Sequence, residues 1–396
     1  MPEANETGER GTVGEVVRLG LKLGATAFGG PAAHVAMLRQ DVVERRKWLD
    51  EKHFLDLLGI TNLIPGPNST EMVIHVGYER AGWRGLLGAG VAFVLPAASI
   101  TLVFAWLYVR YGTKPAGQDL LYGIEPVIIA VVAQAIWNLG RTALRTVPAI
   151  LLAAAIVALY LLGFNEIALL AGGAVVALLA KAGTRLTARA GGATPALLSP
   201  LLLSKGGLSL AALAVAGDAA VAYSHLRLFL TFLKIGSVLY GSGYVLLAFL
   251  RNDFVERYGW LTEEQLIDAV AVGQFTPGPV FTAATFVGYL TGGFPGAILA
   301  TVAIFLPAFV FVAIANPLLP RLRRSPWIGA ALDGVNLAAL GLMAAVLWEL
   351  GRAAIVDLPT ALLALGAAGL LIRYRVNSAW LVLGGALAGL ALGPLR

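Results

Sequence analysis

The sequence predicts an all-α polytopic membrane protein whose two homologous halves form an inverted repeat, each with about five transmembrane helices plus a re-entrant helical hairpin. The membrane class follows from composition, because 58% of the 396 residues are hydrophobic and 13% are charged, against about 45–50% and 25% in soluble domains. Several apolar stretches approach the roughly 20 residues that a spanning helix needs. No stretch alternates apolar and polar residues as a barrel strand does. The two halves follow from an internal duplication.

Charge and residue content exclude several classes of function. The chain has 29 Lys and Arg against 23 Asp and Glu, a net charge of +6. The basic residues stand in small groups at the ends of apolar runs, which is typical of topology signals and argues against a nucleic-acid partner. There is no cysteine, and the four histidines have no ligand spacing, so we expect no metal site. Hydrolase, phosphate-loop and dinucleotide motifs are absent. We therefore predict a protein that is not an enzyme, has no cofactor and uses an ion gradient or the membrane potential.

The duplication is visible when the sequence is aligned with itself at an offset of 212 residues, which becomes 211 after one residue is lost from the second copy. The matched residues are Gly, Pro, Trp and charged types, which shared hydrophobicity does not explain. They include Lys22 with Lys234, Gly29 with Gly241, Arg39 with Arg251, Trp48 with Trp260, Pro65-Gly66-Pro67 with Pro277-Gly278-Pro279, and Trp137 with Trp348. Such duplication is the usual construction of a secondary transporter.

The repeat divides the chain into three parts. We predict a first repeat over residues 1–182, a linker over residues 183–223 and a second, inverted repeat over residues 224–396. The linker is rich in Ala, Gly, Ser and Thr, and its apolar stretch at residues 208–221 is short for a span, so we predict a surface helix there. Residues 1–10 lack the basic and apolar regions of a cleaved signal peptide.

Each half is predicted to begin with one long helix, at residues 13–33 and 225–250, and to continue into a charged amphipathic segment. The next two stretches of the first half, residues 53–64 and 68–80, are separated by Pro-Gly-Pro. Each has about 12 residues and measures about 18 Å, too short to cross an apolar core of about 30 Å. We therefore predict a re-entrant hairpin with its tip inside the membrane. Four spans follow it, at residues 83–111, 121–144, 147–164 and 166–181.

The basic residues predict the topology. If the hairpin returns to the side it came from, most basic residues of the first half lie on one face, whereas two broken crossings would divide them evenly. Arg46 and Arg321 are then cytoplasmic, and Lys114 and Arg257 are external. Five crossings per half invert the second half. A linker that crosses, with six spans per half, would invert it as well.

The duplicated Pro-Gly-Pro is the sharpest motif. Proline lacks an N–H and glycine lets the backbone turn, so a helix is expected to start at Asn68, and another at Val280, with free amides and a positive dipole end inside the membrane. Such a helix start can hold an oxyanion, although a structural kink is the alternative. The predicted substrate-binding residues at the tips are Gly66, Asn68, Ser69, Thr70, Gly278 and Thr282.

Two lysines occupy the same repeat position inside apolar helices. Lys22 and Lys234 are predicted substrate ligands or counter-ions, because an intramembrane lysine normally faces a cavity or a partner; snorkelling is the alternative for Lys22. The glycines that follow, Gly29, Gly30 and Gly241, are predicted to break the first helices and to let the backbone approach the substrate or a hairpin tip.

Acidic residues in the amphipathic segments are expected to be solvated or paired with Arg39 and Arg251. They are Asp41, Glu44 and Asp56 with their counterparts Asp253, Glu256 and Asp268. Proton coupling through Glu71, Glu79 or Asp56 is an alternative role for the acidic residues. Of the histidines, only His75 is expected near the hairpin.

The motifs Phe28-Gly29-Gly30-Pro31, the charged run from Arg39 and Pro65-Gly66-Pro67-Asn68, with their repeats, resemble the chromate ion transporter family in its two-domain long form. The resemblance covers nearly the whole chain. It implies export of chromate across the bacterial cytoplasmic (inner) membrane, chromate resistance and halves of opposite orientation. Val280 in place of Asn68, and Tyr240 in place of Phe28, mean that the two sites need not be equivalent.

The leading prediction is therefore a multi-pass secondary transporter, an antiporter or uniporter, that exports chromate, a tetrahedral dianion, through the lipid bilayer. An inside-negative potential favours outward movement of negative charge by about 2.3 kcal/mol per charge per 100 mV, so efflux needs no ATP. The alternative is a permease that takes up sulfate or another oxyanion by proton symport, because sulfate has the same charge and shape. A non-transporting membrane sensor or scaffold is third. A homodimer is left open.

Overall fold

The computed structural model describes residues 11–28, 30–112, 114–189, 222–240, 245–322, 326–374 and 376–393. Every regular element in these ranges is a helix, as expected for segments whose backbone groups must be satisfied within lipid. Within the same ranges, five helical segments are long and apolar enough to cross a membrane: Asn68–Tyr111, Pro115–Ala143, Glu166–Gly183, Val280–Ala315 and Gly329–Ala354. The predicted all-α membrane class is confirmed.

The described residues of the first half form seven α-helices. They are α1 (Val13–Thr26), α2 (Gly30–Arg39), α3 (Glu51–Thr61), α4 (Asn68–Tyr111), α5 (Pro115–Ala143), α6 (Val147–Leu161) and α7 (Glu166–Arg189). A π-helical turn, Gln40–Arg45, continues α2.

The second half repeats this order. Its helices are α8 (His225–Val238), α9 (Leu246–Leu250), α10 (Glu263–Phe275), α11 (Ala283–Leu322), α12 (Pro326–Ala354), α13 (Leu358–Tyr374) and α14 (Ser378–Leu392). The π-helical turn recurs at Arg251–Arg257, and one 3-10 turn, Val280–Thr282, precedes α11.

The first helix of each half is shorter than predicted. The helices predicted at residues 13–33 and 225–250 end at Thr26 and Val238, where the next residues take extended backbone angles. Fourteen residues measure about 21 Å at about 1.5 Å per residue, less than the apolar core of a bilayer. The predicted break after the lysines is therefore present, and it leaves a helix end within the molecule.

The hairpin arms have the predicted lengths. The arm α3 has 11 residues, and α4 leaves helical geometry at Ala81 and Gly82, soon after its first turns. The chain reverses direction there. The reversal is shown by the close approach of Gly77 to Gly85, since a Cβ on Gly77 would lie only 2.4 Å from the carbonyl oxygen of Gly85. Gly288 and Gly296 make the same close contact at the break in α11, where the distance is also 2.4 Å. Each long helix is thus a short arm followed by a spanning segment.

The two halves are inverted relative to each other. The equivalent helices α5 and α12 pack together, with Gly140 beside Leu340 and Gly351 beside Ile129. Because the order of contacts along one helix is the reverse of that along the other, the two helices are antiparallel. This relation confirms the predicted inverted repeat.

Small residues let the halves interlock. α5 packs against α13 and α14, whereas α12 packs against α6 and α7. Gly123 lies against the backbone of Gly385, and in the equivalent place Gly334 lies against the backbone of Gly173. Close backbone approach at glycines is typical of membrane helix packing.

The region between the halves differs from the prediction at its start. Helix α7 continues to Arg189, past residue 183, where the linker was expected to begin. The predicted surface helix at residues 208–221 lies outside the described residues. The boundaries of the two repeats stay a prediction.

Candidate functional site

Each Pro-Gly-Pro tip is bonded to the broken first helix of the other half. The amide nitrogen of Gly66 donates to the carbonyl oxygen of Leu239 at 2.9 Å, and that of Gly278 donates to Ala27 at 2.9 Å. Leu239 and Ala27 directly follow α8 and α1, where helix carbonyl groups lack intrahelical partners. The tip amides satisfy these groups.

Glycine is required at both tips. The φ angle is +141° at Gly66 and +89° at Gly278, values that side chains bearing a Cβ rarely adopt. A Cβ on Gly66 would lie 2.2 Å from Oε1 of Glu71, and one on Gly278 would lie 2.7 Å from Cβ of Ala97. Both the backbone angle and the close packing exclude larger residues.

The first tip presents a helix start with polar side chains. α4 begins at Asn68, as predicted. The Asn68 amide nitrogen Nδ2 donates to Oδ1 of Asn62 at 2.7 Å. The hydroxyl of Ser69 lies 3.3 Å from Nδ1 of His34, and the buried hydroxyl of Thr70 has no hydrogen-bond partner among the described residues. An anion at this helix end would meet amide and hydroxyl donors.

His34 connects the two tips and was missed by the sequence analysis. Its Nε2 lies 3.0 Å from the carbonyl oxygen of Ala27, the same oxygen that accepts the Gly278 amide. The expectation that only His75 lies near the hairpin was wrong, since His34 contacts Ser69. No local pattern marks this residue, because its position depends on how α2 packs against α4.

The second tip is more enclosed. Its residues 277–280 are all buried, whereas Asn62 is exposed and Asn68 is partly exposed at the first tip. The Thr282 hydroxyl donates to the carbonyl oxygen of Pro279 at 2.9 Å. Val280 begins a 3-10 turn, and the α-helix starts only at Ala283. The two predicted helix starts are therefore not equivalent.

Both predicted lysine ligands form ion pairs. Lys22 Nζ lies 2.7 Å from Asp41 Oδ2, and Lys234 Nζ lies 2.5 Å from Asp253 Oδ2. The lysine side chains remain 42% and 31% exposed, while both carboxylates are buried. The expectation of solvated surface carboxylates was wrong for these two acids. Their burial requires a cation, which the lysines supply.

A cavity of about 620 Å³ lies beside Lys234. Arg227 and Arg257 also line it, so three basic side chains face one space. Asp253 neutralises one of these three positive charges, that of Lys234. The lining therefore keeps a net positive charge, which suits an anion.

The charged segments carry a second duplicated network. Arg39 pairs with Glu44 at 2.6 Å and with Glu51 at 2.7 Å, and its hydrogen bonds lower the pKa of Glu51. The predicted pairing of Arg39 with Glu44 is confirmed.

In the second half Arg251 takes the equivalent place. It pairs with Glu256, with Glu263 at 2.8 Å and with Glu349 at 2.8 Å. The predicted pairing of Arg251 with Glu256 is confirmed as well. Asp268, expected at the surface, is buried, because α10 packs against α5 and α11.

The remaining predicted site residues are glycines. Gly30 has a φ angle of +78° with open space where a side chain would lie. Gly29 and Gly241 lie outside the described residues. Among the residues that the structure describes, no group of three His, Asp or Glu side chains could hold a metal ion.

Short re-entrant arms, broken helices and an inverted repeat together define the class of secondary transporters. Residues 14–178 and residues 226–390 each match the family described as Chromate transporter. The chain therefore belongs to the chromate transporter family.

Proteins named for chromate transport are similar to this chain over most of its length. A chromate transport protein of Cupriavidus metallidurans is 32% identical, covering 97% of this chain and 94% of the relative. One from Pseudomonas aeruginosa is 33% identical, over 94% and 91%. A probable chromate transport protein of Synechococcus elongatus is 32% identical, over 87% and 86%. No solved structure matches the chain.

Proposed function

We propose that this protein is a secondary transporter that exports chromate across the bacterial cytoplasmic membrane and so gives chromate resistance. The observation that carries the proposal is the start of α4 at the first tip, where the first helical residues, Asn68, Ser69 and Thr70, all have polar side chains. Family membership and the names of the relatives support chromate as the substrate.

The donors at the first tip suit a tetrahedral dianion. A helix N-terminus attracts negative charge through its dipole and free amides without a full buried cation. Hydroxyl and amide groups add hydrogen bonds to oxyanion oxygens. Lys22 and Lys234 are each paired with a carboxylate, so this proposal does not make them direct ligands. Their partly exposed side chains instead attract the dianion toward the tips.

The inverted halves provide a route to alternating access. The bonds Gly66–Leu239 and Gly278–Ala27 join tips to broken helices across the halves. The first tip is partly exposed and the second is buried, as expected when one side of a transporter is open. Opening one junction while closing the other would move the binding site between the two sides.

Membrane potential is a sufficient driving force in this proposal. An inside-negative potential favours outward transfer by about 2.3 kcal/mol per charge per 100 mV, and a dianion gains twice as much. Transport as a uniporter or as an antiporter is consistent with this sign.

Uptake of sulfate or another oxyanion by proton symport is the second candidate. Backbone amides and hydroxyl groups recognise charge and shape, which sulfate and chromate share. The second candidate is favoured by a buried carboxyl group, Glu71, beside the first tip.

Cells expressing the chain provide the test. If the chain exports chromate, these cells should show raised chromate tolerance and lowered chromate accumulation, with sulfate as the competitor. Everted vesicles with an imposed inside-positive potential should accumulate chromate. Increased sulfate accumulation in intact cells without chromate tolerance would contradict export and support the second candidate.

A further inference from the structure

Glu71 is an ionisable side chain to which the chromate-export proposal above assigns no role. It lies in the short arm of α4, one residue after Thr70, and its exposed fraction is 0%. Neither carboxyl oxygen has a hydrogen-bond partner among the described residues.

The carboxyl group lies directly against the first tip. Its Oε1 fills the space where a Cβ on Gly66 would stand, 2.2 Å from that position, and Ala308 of α11 borders the same space. The junction between the halves covers this space, because Gly66 bonds to Leu239 and the Tyr240 hydroxyl donates to the carbonyl oxygen of Asn62 at 2.7 Å. Opening the junction would therefore uncover Glu71.

In the described part of the chain, no basic side chain donates a hydrogen bond to the carboxyl group of Glu71. Tyr240, from the segment after α8, is close enough to interact electrostatically with it. His34 of α2 contacts Ser69, and His75 follows one turn later on α4. On α1, Lys22 is paired with Asp41.

The other packed segments contain no ionisable residue. This holds for residues 57–70, which include the end of α3 and the tip, and for residues 294–316 of α11. Glu71 therefore faces neutral groups on these sides.

A carboxylate buried without a partner is strongly unfavourable, so the group is expected to carry a proton in this conformation. A negative charge at the same place would also repel a dianion at the adjacent helix start, since screening is weak in a buried site. At the repeat offset of 212 the second half has Ala283 instead. The second tip therefore has no carboxyl group at the position equivalent to Glu71.

We propose that Glu71 is a proton-binding site linked to oxyanion binding: a dianion binds at the first tip when Glu71 is protonated, and the proton leaves to water when the junction opens. In the bound state one proton on Glu71 lies beside each dianion, and together they carry one net negative charge. The proposal rests on oxyanion binding at the first tip, as proposed above.

Calorimetric titration of the full-length protein in lipid nanodiscs tests the linkage. Chromate and sulfate are titrated in buffers of different ionisation enthalpy at several pH values. Above the pH at which Glu71 loses its proton in the free protein, the wild type should take up about one proton per dianion, and Kd should rise about tenfold per pH unit. Glu71→Gln, a neutral isostere, should bind without proton uptake and with a Kd independent of pH.

The control is Glu79→Gln on the same arm. Glu79 lies 3.6 Å from His53 and is partly exposed, so this variant should retain the proton uptake of the wild type. Binding by the wild type without proton uptake and with a constant Kd at every pH tested, or unchanged uptake in Glu71→Gln, would overturn the role of Glu71 and leave the proposed function intact. Absence of chromate and sulfate binding by the wild type would instead overturn the proposed function, and with it this linkage.

An infrared difference spectrum of the wild type decides the matter if Glu71→Gln does not fold. A protonated carboxyl group gives a carbonyl-stretch band, which should grow when chromate is added above the pH at which Glu71 titrates. Glu71→Met, which is apolar and similar in length, should lack this band. Absence of a carboxyl band in chromate-bound wild type would overturn the proposal.

Discussion

The amide nitrogen of Gly66 lies 2.9 Å from the carbonyl oxygen of Leu239, so the hairpin tip of the first half ends against the broken helix of the second. Gly278 and Ala27 repeat the relation with the halves exchanged. Each half therefore supplies the backbone amide that satisfies a carbonyl group at a helix end of the other half. Because the bonds join backbone groups, they depend on the close approach that glycine permits.

Alanine substitution at the tip residue Gly278 and at Gly30 should separate backbone strain from steric conflict. Gly278→Ala places a Cβ on a residue whose φ is already positive, which costs roughly 1–2 kcal/mol. The same Cβ also meets Ala97, which costs roughly 1–3 kcal/mol more. Gly30→Ala meets open space and should show the strain alone. Apparent melting temperatures in detergent measure the difference, and equal losses in the two variants would contradict it.

Gly66→Leu should abolish transport. Its side chain would displace Glu71 and break the bond to Leu239. Chromate export from cells is the measurement, with membrane insertion checked by blotting. A Gly66→Leu protein that is inserted, stable and fully active would remove the anion-binding interpretation and leave Pro-Gly-Pro as a structural kink.

Asn68→Ala should weaken oxyanion binding by about 1–2 kcal/mol, the usual effect of losing one cap-type hydrogen bond. Asn62→Ala is the matched control, because it removes the same Asn68–Asn62 hydrogen bond while keeping the Asn68 side chain. The Kd for chromate should rise more in Asn68→Ala than in Asn62→Ala. Equal values would show that Asn68 acts only by holding the tip.

Lys234→Met should lower both transport and yield, because Asp253 is fully buried and loses its closest cation, which leaves only Arg257 at 4.0 Å among the described residues. Breaking such a pair costs about 3–5 kcal/mol. Adding Asp253→Asn should restore the yield but not the transport, if the lysine charge attracts the dianion. Wild-type chromate export by the double variant would limit Lys234 to ion pairing, and Lys22→Met with Asp41→Asn is the equivalent comparison.

Single cysteines should report the topology, since the chain has none. A cysteine at position 257 or 114 should react with an impermeant maleimide added to intact cells, whereas one at position 46 should react only after the membrane is opened. The reason is the bias of basic residues toward the cytoplasmic side. Labelling of position 46 from outside, or protection of position 257, would contradict the inverted arrangement.

Local chemistry explains which features could be predicted. The helix start at Asn68 follows from prolines without an N–H and from a glycine that allows the turn. The predicted break of the first helix follows in the same way. The pairing of Lys22 with Asp41 could not be predicted, because 19 residues separate them and a π-helical turn brings the carboxylate back to α1.

The sequence by itself determined the membrane class, the duplication and the places where helices stop, since these depend on apolar content, repeat spacing and the backbone properties of Pro and Gly. Only the tertiary structure decided which of these helix ends meet. The Gly66–Leu239 bond, the His34–Ser69 contact and the burial of Glu71 arise between segments far apart in the chain. Backbone hydrogen bonds and packing across the halves leave no pattern in the residue types along one segment, so the folded arrangement is needed to reveal them.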